Sequence, residues 1–143
     1  VSIVDLSSNL ASPNSVDAVV TFRNLHNWIG PQMDTIFKNS YKALKPGGIF
    51  GVVEHRANPN TSLDVMKKSG YVTESYAIAI AEKHGFVLVD KSEINANPKD
   101  LKNYERGVWT LPPSLRLKDK DKQKYLEIGE SDRMTLLFKK PID

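Results

Sequence analysis

Two nearly unbroken apolar runs, with a segment of helical period between them, constrain this chain more than anything else in it. Val16–Phe22 reads V-D-A-V-V-T-F, and residues 49–54 read I-F-G-V-V-E. β-Branched runs with so little alternation suit strands covered on both faces, as in a parallel sheet. Between them, Met33, Ile36, Phe37, Tyr41 and Leu44 return to one face of a 3.6-residue period, and Pro46-Gly47-Gly48 follows. The pattern predicts a helix that begins near Pro31 and is stopped by the Pro-Gly-Gly turn, with glycine as its left-handed cap. Strand, crossover helix and strand in this order make a right-handed βαβ unit. A polar and aromatic elbow, Arg23-Asn24-Leu25-His26-Asn27-Trp28, leaves the first strand, and Glu54-His55-Arg56 ends the second.

The rest of the chain extends that unit. Val72, Tyr76, Ala77, Ile80, Ala81 and His84 give a second helical stripe, closed by Gly85, and residues 86–90 read as a third buried strand. Residues 1–4 read as a short strand ending in Asp5-Leu6. Residues 92–133 form a long excursion with a short helix over 121–128, capped by Gly129. Residues 134–139 alternate and return as a strand antiparallel to 86–90. The expected class is therefore α/β, a mostly parallel sheet with an antiparallel last strand. The 143 residues fit one domain with its own core.

Composition removes several functions. Twenty Lys and Arg stand against 17 Asp and Glu, and the lysines of 118–124 alternate with Asp119 and Asp121. That is a solvated helix face rather than a nucleic-acid patch, so no nucleic-acid partner is expected. No apolar run reaches the roughly 18 residues of a membrane span, so no membrane partner is expected either. The absence of cysteine excludes disulfides, thiolate metal sites and a cysteine nucleophile. The chain begins at Val1, directly in a β-like run, and reads as a piece of a longer protein. Its compartment stays open, with cytoplasmic as the default.

With these elements laid out, V-D-A-V-V followed by R-N-L-H-N-W and A-L-K-P-G-G-I-F-G-V-V-E resembles the second half of the class I S-adenosylmethionine-dependent methyltransferases. The turn Leu44-Lys45-Pro46-Gly47-Gly48 is a frequent marker of that family. The Phe22-Arg23-Asn24 elbow is similar to that of quinone-biosynthesis methyltransferases. The tail motifs N-P-K-D, G-V-W-T-L-P-P and G-E-S-D-R-M-T-L resemble a bacterial group of predicted methyltransferases of unassigned substrate. Together they extend the resemblance over nearly the whole chain.

The resemblance implies a partial Rossmann-like methyltransferase sheet. The family orders its strands 3-2-1-4-5-7-6, and this chain would supply the third to the seventh. It implies S-adenosylmethionine as cofactor of the full-length protein and a small-molecule methyl acceptor. The family's first strand, its glycine-rich turn and the acidic end of its second strand have no counterpart here. Gly47-Gly48 follows a helix and so cannot present a helix N-terminus to a ligand. A truncated domain lacking its N-terminal cofactor-binding part is the reading that results. Without a first strand, Val16–Phe22 becomes an exposed apolar edge, expected to pair with another copy as a homo-oligomer.

The same resemblance assigns candidate roles. Asp5 and Leu6 would meet the adenine, with Arg23 and Asn24 completing the cofactor side. Arg23, Asn24, His26 and Asn27 follow the C-terminal end of a parallel strand, where open α/β sheets bind ligands. His26 is the candidate catalytic base, because histidine exchanges protons near neutral pH. Asn27, Glu54, His55, Arg106, Trp109 and Arg133 are the candidate substrate contacts, the last three from the 92–133 excursion, which would act as a lid. The structural alternatives are a turn capped by Asp5, a helix capped by Asn24 and Asn27, and core packing for Trp28 and Trp109. Glu54 and His55 should point to opposite faces of their strand, so only one should enter the cleft and no metal site is expected. Two other functions stay open: a non-catalytic methyltransferase-like binding domain, and the second half of a nucleotide-binding oxidoreductase, though no hydride-transfer signature follows the strands.

Overall fold

Strand β1 (Val16–Phe22) runs parallel to β2 (Leu44–His55), joined by a crossover through the single turn α1 (Leu25–Trp28) and the helix α2 (Pro31–Ala43). This is the expected βαβ unit. In the computed structural model, which describes residues 1–142, it grows into a four-stranded sheet of order β1-β2-β4-β3. The third strand, β3 (Val87–Ser92), follows α3 (Leu63–Ser69) and α4 (Glu74–Lys83). The last strand, β4 (Arg133–Lys139), inserts between β2 and β3 and is antiparallel to both. β3 therefore points the same way as β1 and β2, and the order matches the family's 4-5-7-6 portion. The excursion before β4 carries a 3-10 turn, Gly107–Thr110, and the helix α5 (Lys122–Ile128).

Helices cover one face. Phe50, Val52, Leu136 and Phe138 meet Met33 and Phe37 of α2 and Ala77 and Ala81 of α4 in one buried cluster. Its centre is aromatic: Phe37 meets Phe50 edge-on with ring centroids 5.1 Å apart, and Phe86 lies 5.0 Å from Phe50. On the other face Val20, Phe22, Ile49, Val87 and Val89 remain exposed. The strands are thus apolar on both sides, as their sequences require, while among the described residues helices pack on only one.

Several expected elements differ. Residues 1–4 form no strand and lie exposed. A strand needs a partner for its backbone groups. The chain instead turns at Asp5 and runs back beside α2, where Asn14 and Ser15 N–H donate to the carbonyls of Lys42 and Ala43. The helix α2 ends at Ala43, before the Pro-Gly-Gly turn, and no glycine caps it. Leu44 is already extended, and Lys45, as the residue before Pro46, is biased against helix. Gly47, at φ 83°, belongs to the irregular start of β2. The helix expected from Val72 begins at Glu74, capped by the Thr73 hydroxyl, because Val72 bridges Arg56. α3 carries no apolar stripe, since only Met66 is buried, and the pattern did not predict it. The helix at 122–128 does end at Gly129, as expected.

The carbonyls left at the end of α2 are taken by a buried lysine. Lys140 Nζ donates to Tyr41 O at 2.8 Å, Leu44 O at 2.7 Å and Asn14 Oδ1 at 2.9 Å, and lies over the Tyr41 ring. Lys140→Met would take the donor from Leu44 O, which is buried, and from the partly buried bonds to Tyr41 O and Asn14 Oδ1. It should cost about 2–3 kcal/mol, read as a lower urea midpoint with an unchanged denaturant slope.

Candidate functional site

The elbow after β1 is built on a strained residue. Arg23 adopts a left-handed φ of 58°, and its N–H donates to Val53 O at 2.7 Å, carrying the β1–β2 ladder one residue beyond the strand. Such a conformation is costly for a residue with a side chain and persists only where its surroundings hold it. Here they do. Leu25, fully buried, anchors the next turn, and His26 is fastened to the end of β2.

Glu54 provides the fastening. Its side chain has 0 % exposure and that of His26 only 7 %. Glu54 Oε2 accepts the His26 backbone N–H at 2.9 Å, and Oε1 accepts the His55 N–H at 2.8 Å. His26 Nδ1 lies 3.0 and 3.2 Å from the two oxygens. The carboxylate can only accept, so Nδ1 carries a proton and donates it, an assignment made from the contacts. With Nδ1 donating, an unprotonated ring would carry its lone pair at Nε2.

His26 lines a cavity of about 320 Å³ at the C-terminal ends of β1 and β2. Phe22, Arg23 and Asn24 form one side of it. His55, Ser131 and Arg133 form another, where β2 meets β4. Val108, Trp109, Pro112, Pro113 and Ser114 of the excursion line the rest of this open cleft. Trp109 meets His26 edge-on at 5.8 Å, with the Arg116 guanidinium 5.1 Å from its ring. His55 lies 5.6 Å from His26, its Nδ1 bonded to the Ser131 hydroxyl. Burial first, then the proximity of His26, Arg133 and Arg23, pushes the His55 pKa down to about 3.

A polar layer behind the cavity pins the excursion to the sheet. Arg56 binds Asp132 through Nε and Nη2, and also Glu74 and Glu93. Burial works to raise the Asp132 pKa, but bonds from Arg56, Lys102 and the Asn97 N–H outweigh it and hold the value at about 2. Asp100 accepts from both the Asp132 N–H and the Tyr71 hydroxyl. Burial, with Asp100 beside it, pushes the Tyr71 pKa well up. Gly107 packs so closely on the Ser69 backbone that any side chain there would collide with it.

Arg23, Asn24, His26, His55, Trp109 and Arg133 thus line one cavity. Glu54 does not; it sits behind His26, because the pleat of β2 turns it to the helix-covered face. Asn27 reaches only the Asn24 side chain, and Arg106 is exposed outside the cavity. Asn24 and Asn27 do not cap α2, whose N-cap is Gly30. Asp5 is exposed and accepts from Ser7 N–H and Oγ, the turn-capping role, which lowers its pKa. Leu6 lines a separate slot of about 340 Å³ with Leu10, Thr21, Asn24 and Trp28, where Thr21 Oγ1 is buried without a partner. The sequence reading missed Ser131 and Ser114. Ser131's place two residues before Arg133, which pairs with His55 across the β2–β4 ladder, was the available signal. His26, Glu54 and His55 hold ligand atoms within 4.8 Å of one another. A cation there would have to displace the His26–Glu54 bond. Tyr41 and Lys45 have a Tyr-x-x-x-Lys spacing, but Tyr41 packs on Phe86 and Lys45 pairs with Asp17. They lie outside the cavity.

The depressed His55 pKa has a sign in stability. Unfolded, the imidazole takes its proton near pH 6.5, whereas folded it stays neutral down to about pH 3. The stability present above pH 6.5 is therefore lost progressively between 6.5 and 3, with a limiting slope of about 1.4 kcal/mol per pH unit. Urea unfolding at stepped pH should show that slope in the native chain, flattened in His55→Asn between pH 6 and 4.

No family model and no curated protein sequence matches the chain. Solved structures do. The 4+2 cyclase SpnF superposes with a TM-score of 0.65 at 18% identity, over 99% of this chain and 57% of its own. A SAM-dependent methyltransferase from Methanosarcina mazei gives 0.62 at 15%, over 99% of this chain and 67% of its own. Phosphoethanolamine N-methyltransferase 2 of Haemonchus contortus, solved with S-adenosyl-L-methionine, gives 0.56 at 20%, over 96% and 36%. This chain therefore spans less than three fifths of SpnF, and at these identities the likeness is one of fold. The chain thus has the fold of the C-terminal part of a class I S-adenosylmethionine-dependent methyltransferase, a partial Rossmann-like sheet with an antiparallel last strand.

Proposed function

We propose that this chain is the acceptor-binding half of an S-adenosylmethionine-dependent methyltransferase that acts on a small molecule, with His26 as its base. The observation that carries the reading is the buried Glu54–His26 pair at the ligand-binding edge of the sheet. A volume of about 320 Å³ suits a small ligand.

The chemistry required of the protein is modest. An acceptor hydroxyl or amine in the cavity loses a proton to His26 Nε2 as its lone pair turns nucleophilic. Glu54, bonded to Nδ1–H, fixes the ring and stabilises the imidazolium that forms. Trp109 and the two prolines limit access of water. The cofactor, when bound, supplies the activated methyl group as a sulfonium.

The chain fits that cofactor in part. The slot beside Leu6, Leu10 and Trp28 suits a flat apolar ring, and the orphaned Thr21 hydroxyl and Asn24 offer it polar contacts. Nothing among these residues resembles a glycine-rich turn for the methionine end. The reading therefore places that end on a segment of the full protein outside these 143 residues. Tritiated S-adenosylmethionine should be retained by the protein as its gene encodes it in full, more weakly by this chain, and less in Asn24→Ala. No retention by either form would overturn the reading. In the full protein His26→Ala should lower kcat by about 10²–10⁴ with little change in KM, and Glu54→Gln by less.

The edge of β1 supports a partner. β3, the other edge, is guarded by Asp90 and Lys91. β1 carries one charge, Asp17, and presents Val20 at 58% exposure. The partner proposed there is a second copy of the chain. Sedimentation should show a concentration-dependent dimer that Val20→Lys abolishes. A monomer at every concentration would count against it.

A further inference from the structure

We infer that the acceptor is a small planar acid whose carboxylate is held between Arg23 and Arg133. The inference rests on reading the cavity as the acceptor site, and it adds the class of molecule that fills it.

No acidic side chain lines the cavity. Glu54 is behind His26 and engaged by three N–H groups, and Glu130 touches only the Arg133 side chain. The charged groups that do face the space are both arginines. Arg23 makes no ion pair among the described residues, although its backbone is held in a left-handed conformation that sets it at the cavity. Arg133 is half engaged. Its Nη2 reaches Glu130, itself 57% exposed, at 3.1 Å, while its Nε is buried with no hydrogen-bond partner. The Nε is closed off as placed, so the Nη donors not given to Glu130 are the ones a carboxylate would meet, and the planar guanidinium suits such a group.

The strand order sets the spacing. Arg23 adjoins β2 through Val53 O, and Arg133 pairs with His55 across the other side of β2. The two backbones are therefore two strand spacings apart, about 10 Å, which long side chains close around one small anion. Trp109 and Phe22, with Pro112, provide flat apolar walls for the body of the ligand. A hydroxyl on that body, away from the carboxylate, would meet His26 Nε2.

Calorimetry on the chain without cofactor tests this, with a hydroxybenzoate, the matching uncharged hydroxybenzamide and inorganic phosphate as probes. The expected result is that the hydroxybenzoate binds at least tenfold more tightly than the amide, and more weakly as salt is raised. Arg133→Met and Arg23→Met should each weaken it tenfold or more, with the thermal midpoint and circular dichroism unchanged. Arg133→Lys should recover only part of the loss. Phosphate displacing the acid at similar concentration would support the anion subsite with phosphate as the group recognised. Equal binding of acid and amide, or no binding of any probe, would overturn the inference, and the wild-type comparison stands even if a variant fails to fold. Acid binding without methyl transfer in the full protein would count against the enzyme reading alone. Transfer to an uncharged acceptor with no acid binding would count against this inference alone.

Discussion

The arrangement of the site depends on one buried carboxylate. Glu54 is carried to the end of β2 on the helix-covered face, where an isolated charge would be too costly to keep. It is kept because the two backbone N–H groups and the ring that turn toward it satisfy both oxygens. That requirement fixes the elbow. His26 cannot rotate without unpairing Glu54, and the turn of α1 cannot shift without moving His26. Removing one member of such a set costs far more than the set adds, because the remaining charge is left buried and unpaired.

A second polar layer does for the excursion what Glu54 does for the elbow. The segment between β3 and β4 has few apolar residues and would not collapse onto the sheet by burial alone. Asp132 holds it through Arg56, just past β2, and Asp100 through Tyr71, while Lys102 bonds Asp132 within the segment itself. Val108 and Tyr71 add a small apolar cluster with Ala57. The cavity therefore has a floor set by Glu54 and a roof set by Asp132. The end of β2 is where the two meet, since Glu54, His55 and Arg56 each serve a different layer.

Much of the fold was legible because its signals are local. Continuous apolar runs gave β1 and β2, and the face of α2 followed from its period. The antiparallel return of β4 followed from an alternating strand after a long excursion. The candidate site was legible only at its edge. Arg23, Asn24, His26 and His55 were visible because strand ends in such sheets carry ligands. Alternation correctly sent Glu54 and His55 to opposite faces, but it could not say that an elbow 28 residues earlier would reach back to Glu54. That contact makes Glu54 a support for His26 rather than a substrate contact. Residues 1–4 read as a strand from composition, yet strand identity belongs to a pair of segments. The roof was hidden for a related reason, since Ser131, Ser114 and Pro112 gain meaning only from the tertiary position of the excursion.

The sheet alone does not choose a chemistry. It superposes as well on a cyclase as on methyltransferases, so the fold leaves the reaction open. What narrows it is the content of the strand ends. A cyclase acting on a neutral hydrocarbon body would have little use for two arginines and a histidine with a carboxylate behind it. A transfer that must deprotonate an acceptor and hold it in line needs a proton acceptor fixed in direction and a charged grip at a distance from it. On the proposed reading the cavity would provide both on opposite sides of β2: His26 by way of β1, and Arg133 by way of β4. The strand between them is an inner one, paired with β1 over Ile49–Val53 and with β4 over Ile49–His55. Rigidity at that strand is what would keep base and grip at a constant separation.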